Sequence, residues 1–232
     1  MIHTFTRIGL AMLIGFSAHG QIQQLSATMV SRTARKGQVA QVKAELTYGS
    51  DGKMVTYFSA PFKQYLLNNT RGEVSIYDPE KNTVMLQNNY AYGTETSQLY
   101  FFLRNKKEDL GLRQMGFTSK DIRFENGLTI TRWTAPSRLW KVIKEVELVH
   151  KGANPVYMKY VGAKGQVVKK VFFYQYQNLK GTDFPSSITQ IDFVTPGDSI
   201  LSKTSYENFR LNEAANLKLL QFSVPANAKV SR

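Results

Sequence analysis

The chain has 232 residues, 42% hydrophobic and 20% charged, which supports one all-β domain with a sizeable core and excludes a disordered chain. Without cysteine it has no disulfide, no thiolate-bound zinc and no thiol nucleophile. A formal charge of +13 favours acidic partners such as anionic lipid headgroups, nucleic acid or an acidic protein; the basic residues are scattered, however, and a solvated basic surface accounts for the same count.

In chain order, residues 1–20 place His3 and Arg7 before the apolar run 8–16, followed by Ser17, Ala18, His19 and Gly20. That is the pattern of a secretory signal peptide, because the run is too short to span a bilayer. Cleavage after Gly20 is expected, leaving a mature periplasmic chain without a lipid-anchoring cysteine. Residues 21–38 are read as a polar N-terminal segment, with Arg32, Arg35 and Lys36 clustered near its end. Ile22, Leu25 and Met29 share a face at helical spacing and predict a loose amphipathic helix. The remaining residues, 39–232, are expected to form one domain.

Strand signals begin at 39–48, where Val42, Ala44 and Leu46 alternate with Lys43, Glu45 and Thr47. The stretch 52–86 then carries short runs at 54–58, 63–67, 73–77 and 84–86, separated by Ser59-Ala60-Pro61, a loop ending in Arg71-Gly72, and Asp78-Pro79. Runs of this length between Gly, Pro, Asn and Asp read as a β-meander. Thr94 can cap a helix over 95–106, in which Leu99, Phe102 and Leu103 recur at helical spacing. A loop with Leu110, Gly111, Met115, Gly116 and Phe117 follows, and the whole segment is a candidate lid. Asn126-Gly127 marks a hairpin between 122–125 and 128–134. Further strands are predicted at 141–150, 156–161, 166–177, 187–194, 200–211 and 218–224, with turns at 152–155, 162–165, 181–185 and 195–198. Short connections make neighbours antiparallel. The expected fold is mainly β: a strongly curved antiparallel sheet, a half or incomplete β-barrel, with a helical lid over its concave face.

The order of these signals resembles the outer-membrane lipoprotein carrier family, the LolA-like proteins. The features that carry the resemblance are the Gly-initiated strand at 52–58, the x-Pro turn Ala60-Pro61, the aromatic strand at 63–67, the Arg71-Gly72 turn and the Tyr77-Asp78-Pro79 strand end. Toward the end of the chain, 205–212 and 222–230 resemble that family's closing strands. The resemblance spans residues 40–230. It implies a carrier that holds the acyl chains of lipoproteins, or another lipid, between a curved sheet and helices. It further implies an inner-membrane donor and an outer-membrane acceptor, monomeric action, no cofactor and no bond chemistry. One feature departs from the pattern: the family's lid-latching Arg-Pro is replaced here by Ala60-Pro61, so either another group closes the lid or the protein does not cycle between closed and open forms as that family does.

Parity along the predicted strands points Val74, Ile76, Val146, Leu148, Met158, Tyr160, Phe172, Tyr174 and Tyr176 inward, with Leu99, Phe102 and Leu103 facing them from the helix. A lipid cavity and an ordinary filled core predict the same apolar pattern. A filled core would make the chain a structural or interaction module of the envelope. Large aromatic and Met side chains suit adaptable binding of flexible chains. Catalysis has little support. Beyond His3 and His19, only His150 remains, and no HExxH, GxSxG or phosphate-loop motif occurs. Glu145 and Glu147 read as cross-strand ion-pair partners, Asp78 as turn chemistry, Tyr206 and Asn208 as structural, and Trp133 and Trp140 as loop packing. Nucleic-acid binding, which charge alone would allow, lacks any recognition motif.

Overall fold

The computed structural model describes residues 22–68, 74–87, 101–103 and 106–231. The predicted signal peptide, Leu99 and most of the predicted helix over 95–106 lie outside the described residues. Among the described residues, fourteen strands form one sheet: β1 (Leu25–Arg35), β2 (Gln38–Tyr48), β3 (Met54–Ala60), β4 (Gln64–Asn68), β5 (Val74–Asp78), β6 (Thr83–Gln87), β7 (Thr118–Glu125), β8 (Leu128–Thr134), β9 (Glu145–Lys151), β10 (Asn154–Val161), β11 (Val167–Leu179), β12 (Thr182–Thr195), β13 (Asp198–Leu211) and β14 (Lys229–Ser231). Their order is β14-β6-β5-β4-β3-β2-β1-β13-β12-β11-β10-β9-β8-β7, so two meanders meet where β1 pairs with β13. The sheet is curved and open, not closed into a barrel. Register shifts in the β1–β13, β2–β3, β7–β8, β9–β10, β10–β11 and β12–β13 pairs add the local twist that bends it.

The helix expected within 21–38 is a strand. Leu25, Ala27 and Met29 are buried on one face of β1, while Ser26, Thr28, Val30 and Arg32 point to the other. Lys36 and Gly37 both adopt positive φ (48° and 77°) and close a two-residue hairpin that sets Arg35 opposite Gln38. Pairing on both sides, with β2 and β13, satisfies the β1 backbone far better than a short exposed helix would. Two other boundaries move. The strand expected at 141–150 begins only at Glu145, and the turn expected at 181–185 is the Lys180-Gly181 pair, after which β12 starts at Thr182.

The strand expected at 218–224 is also absent; Lys218–Gln221 is a 3₁₀ turn. The segment lies across the outer face of β2–β5 instead of pairing with it. Phe222 stacks on Tyr65 at 3.8 Å, with Tyr77 at 5.8 Å, and the Lys53 ammonium donates to the carbonyls of Leu220 (2.8 Å) and Phe222 (3.1 Å). The Thr47 hydroxyl donates to the Asn216 carbonyl at 3.1 Å. The chain then reaches the far edge, where β14 pairs parallel with β6. Phe222→Ala removes the ring that ties this strap to the Tyr57–Tyr65–Tyr77 row. A loss of about 2–3 kcal/mol is expected, read as a fall in Tm of several degrees by calorimetry; an unchanged Tm would mean that the strap contributes nothing.

Candidate functional site

The inner face of the curved sheet is apolar along most of its length. Leu25, Met29, Leu46 and Met54 from β1–β3 belong to one buried cluster with Trp133, Val146, Leu148, Met158, Phe173, Phe184, Ile188 and Tyr206 from the other meander. An insert between β6 and β7 covers this face. Residues 101–103 are helical, and Phe101, Phe102 and Leu103 are buried in the cluster together with Leu110, Leu112 and Phe117 of the following turns. Phe102 is fully buried, with its ring 5.5 Å from Phe173, 6.0 Å from Phe184 and 6.3 Å from Tyr176. Among the described residues no second sheet packs here, and the residues of the insert that bury the inner face belong to no strand.

Local chemistry fixes that segment. Gly111, at φ +80°, leaves room for the Phe101 ring, since a Cβ there would lie 2.1 Å from Phe101 Cζ. Asp109 accepts from the Gly111 amide at 2.9 Å and holds the turn, and the Arg113 guanidinium lies 5.6 Å from the Trp133 ring centroid. A polar chain ties the insert to the sheet. Lys107 Nζ donates to Asn154 Oδ1 (2.9 Å), and Asn154 Nδ2 donates to Asp183 Oδ2 (2.9 Å). Asp183 Oδ1 accepts from Asn178 Nδ2 at 3.0 Å. The buried His150 donates from Nε2 to the Lys107 carbonyl at 3.0 Å, which accounts for the chain's one histidine beyond residue 20. The amides of Asn154 and then Asn178, with the Lys107 charge, hold the Asp183 carboxyl below the usual carboxylate range. Burial, and secondarily the Asp183 carboxylate, pushes the Tyr176 hydroxyl up, so it stays a neutral donor to the Pro155 carbonyl.

The residues singled out from the sequence divide unevenly. Val146, Leu148, Met158, Phe102 and Leu103 are buried together in the cluster. Tyr160 and Tyr176 are half-buried against it. Val74 and Ile76 share the face of Leu66 and Met54 by register and are half-buried. Phe172 and Tyr174 face the other way: Val171 and Phe173 take the inner positions of β11, and Phe172, 36% exposed, lies against Tyr157 on the outer face. Gln175, at φ +54°, breaks the alternation and returns Tyr176 to the inner side. An aromatic run such as 172–176 carries no polar marker of parity. The buried Leu25, Leu46, Met54, Phe184, Ile188 and Tyr206 also belong to this face but were not singled out. Their signal was the alternation in β1 and the extension of β12 back to Thr182.

Two buried polar atoms interrupt the apolar face at its β3–β4 end. Thr56 Oγ1 and Asn68 Oδ1 lie on the same side as Met54 and Leu66 and have no hydrogen-bond partner. A cleft of about 340 Å³ lies elsewhere, on polar residues including Ser26, Thr28, Glu45, Asn208, Arg210 and Asn216. Among the described residues no group of three or more His, Asp or Glu is placed to hold a metal, and no helix is long and apolar enough to cross a membrane.

No family model and no curated protein matches the sequence. Solved structures match the fold. A LolA superfamily protein from Nitrosomonas europaea aligns with a TM-score of 0.57 at 14% identity, over 84% of this chain and 88% of that one. A DUF1329 family protein from Desulfovibrio piger aligns at 0.61 and 14%, over 86% and 90%. A putative outer membrane lipoprotein-sorting protein domain from Vibrio parahaemolyticus aligns at 0.61 and 14%, over 84% and 87%. The chain therefore has the LolA-like fold.

Two outcomes test how the insert is held. Gly111→Ala forces a Cβ into the Phe101 ring at a backbone angle that disfavours it, with an expected loss of about 2 kcal/mol or more and faster hydrogen exchange in residues 101–117. Unchanged exchange would mean that the insert is not held through this contact. For Asp183, whose folded pKa is lowered, the stabilisation is complete above the ordinary carboxylate range near pH ~4 and is lost as pH falls through the folded value. Acidification should therefore loosen the insert in the wild type, and Asp183→Ala should loosen it already at neutral pH and remove that pH dependence.

Proposed function

We propose that this LolA-like sheet is a non-enzymatic periplasmic carrier that takes up the acyl chains of lipoproteins, or of another lipid, on its inner face beneath the insert, and ferries them towards the outer membrane. The observation that carries this reading is the way the inner face is buried. Phe101, Phe102, Leu103, Leu110, Leu112 and Phe117 cover it from a segment outside the sheet, so they can leave without any strand pair breaking. The vacated surface would include Val146, Leu148, Met158, Phe173, Phe184 and Ile188. Thr56 and Asn68 would meet the polar linkage at the head of the chain. Each methylene buried contributes about 0.8 kcal/mol, so an acyl chain needs few polar contacts to bind. The Lys107–Asn154–Asp183 chain takes the place of the missing Arg latch, holding the lid from β10 and β12 instead of from the Ala60-Pro61 turn. Sorting and carrier proteins of this fold, including the Vibrio domain, support the class of role.

The same packing also favours a second reading, in which the insert never leaves and the chain is an envelope interaction module with a filled core. Native mass spectrometry of the protein purified from an exporting host separates the two. The carrier predicts co-purifying acyl chains or lipopeptide at near-stoichiometric load, and loss of that load in Phe102→Asp, checked for folding by circular dichroism. A clean apo mass that also ignores added fatty acid and acylated peptide leaves the filled-core module.

A further inference from the structure

The outer face of the sheet is treated differently in its two halves. Over β2–β5 it is covered by the C-terminal strap. Over β10–β13, among the described residues, nothing covers it. There Phe172 (36%), Phe193 (39%) and Leu201 (42%) are exposed, and Tyr157 and Tyr174 are half-buried beside them. Basic side chains are interleaved with these rings. Lys203 Nζ lies 6.0 Å from the Tyr174 ring and Lys170 Nζ 5.7 Å from the Phe193 ring. Registration places like charges directly opposite one another twice on this face, Arg32 against Lys203 and Lys159 against Lys170. Such pairs destabilise a sheet. On this same face Lys159 is neutralised by Glu147 at 2.9 Å, and elsewhere Arg35 and Lys36 bind Asp198 and Lys169 binds Asp192 at 3.3 Å. Arg32, Lys170 and Lys203 have no carboxylate partner among the described residues; Arg32 meets only the neutral Gln41.

We propose that the outer face of β10–β13 is a docking surface for the phosphate headgroups of an anionic bilayer, a role independent of what the inner face carries. Charge complementarity selects the occupant. Three cations without a carboxylate partner among the described residues, within a few strand spacings of about 4.8 Å each, offer a positive field. The exposed side chains set among them are scattered rings and aliphatic groups instead of one contiguous apolar patch. Rings flanked by lysines, whose stems lie on apolar surface while their ammonium groups reach outward, suit the boundary between headgroups and acyl chains. Lys170 and Lys203 already lie over rings in this manner.

The test uses the full chain, so that residues 1–20 contribute equally to every variant. Co-sedimentation is measured with vesicles of phosphatidylcholine alone and of phosphatidylcholine mixed with phosphatidylglycerol. The double reversal Lys170→Glu with Lys203→Glu is compared with Lys151→Glu with Lys164→Glu, which makes the same charge change at exposed sites off the patch. The patch reversal is expected to weaken binding to the anionic vesicles by at least about tenfold, and the control pair by less than about threefold. It should not lower Tm, because Lys203→Glu turns the Arg32 pair from repulsive to attractive. Its co-purifying acyl load should match the wild type, which separates failure here from failure of the carrier reading. A patch variant that binds like the wild type, a control pair that loses as much, or a wild type that ignores anionic vesicles would overturn the proposal; the last would point to an acidic protein partner instead.

Discussion

An open, curved sheet has an unsolved burial problem, and the structure depends on how this one is solved. A closed barrel buries its inner face by wrapping, and a sandwich does so with a second sheet. Here the inner residues of both meanders are buried by side chains of the insert, from Phe101 to Phe117. These contacts follow from small local decisions. Gly111 has no side chain where the Phe101 ring must lie, Asp109 closes the turn, and Lys107 is moored to Asn154 and Asp183. The sheet itself is held by ladders and hairpins that do not involve the insert. Two cohesive systems of different kinds therefore share one core.

The remaining exposed backbone is managed at the edges. One edge strand, β14, is three residues long and pairs parallel with β6, leaving a short template for misassociation. The other, β7, is long and exposes Phe124, but charged residues stand along it. Lys120 reaches Glu145 at 3.7 Å, Arg123 reaches Glu147 at 3.6 Å, and Asp121 is bound by Arg132 at 2.6 Å. Those links run from β7 inward to β8 and β9, so they brace the edge while placing charge where another strand would have to dock.

The meander was legible because turn chemistry and alternation agreed. Asn126-Gly127 gave the β7–β8 hairpin, and the short runs after Gly52 gave β3 to β6 within a residue or two at each end. Legibility failed where one pattern satisfied two periods. Ile22, Leu25 and Met29 fit a helical face, yet Leu25, Ala27 and Met29 fit a strand, and only the partners β2 and β13, distant in sequence, decide between them. Phe172 to Tyr176 is aromatic at nearly every position, so its parity is set by the left-handed Gln175 and not by hydrophobicity. In the C-terminal segment Leu219, Leu220 and Phe222 look like strand residues, but they bind an outer face whose tyrosines are hidden from any local pattern. The candidate site was partly legible for the same reason: Val146 stands between Glu145 and Glu147, and Leu148 and Met158 each have a charged neighbour on one side, whereas the β1–β3 half of the face rests on long-range pairing.

On the carrier reading, insert and ligand compete for one surface, and the magnitudes make that competition close. Fully burying one large apolar side chain is worth roughly 1.5–3 kcal/mol, so the six of the insert represent about 9–18 kcal/mol of contact with the inner face. A saturated chain of about fourteen methylenes would recover about 11 kcal/mol on the same face. Neither term dominates. Loading exchanges one apolar cover for another, and the difference is set by smaller terms: the hydrogen bonds at Asn154 and Asp183 that the insert gives up, and the polar linkage that Thr56 and Asn68 would receive. A deep, empty pocket would bind such a chain too tightly to release it. A face that the protein can cover again with its own residues lets the cargo leave without exposing apolar surface to water, which is the physical requirement of a carrier that must unload.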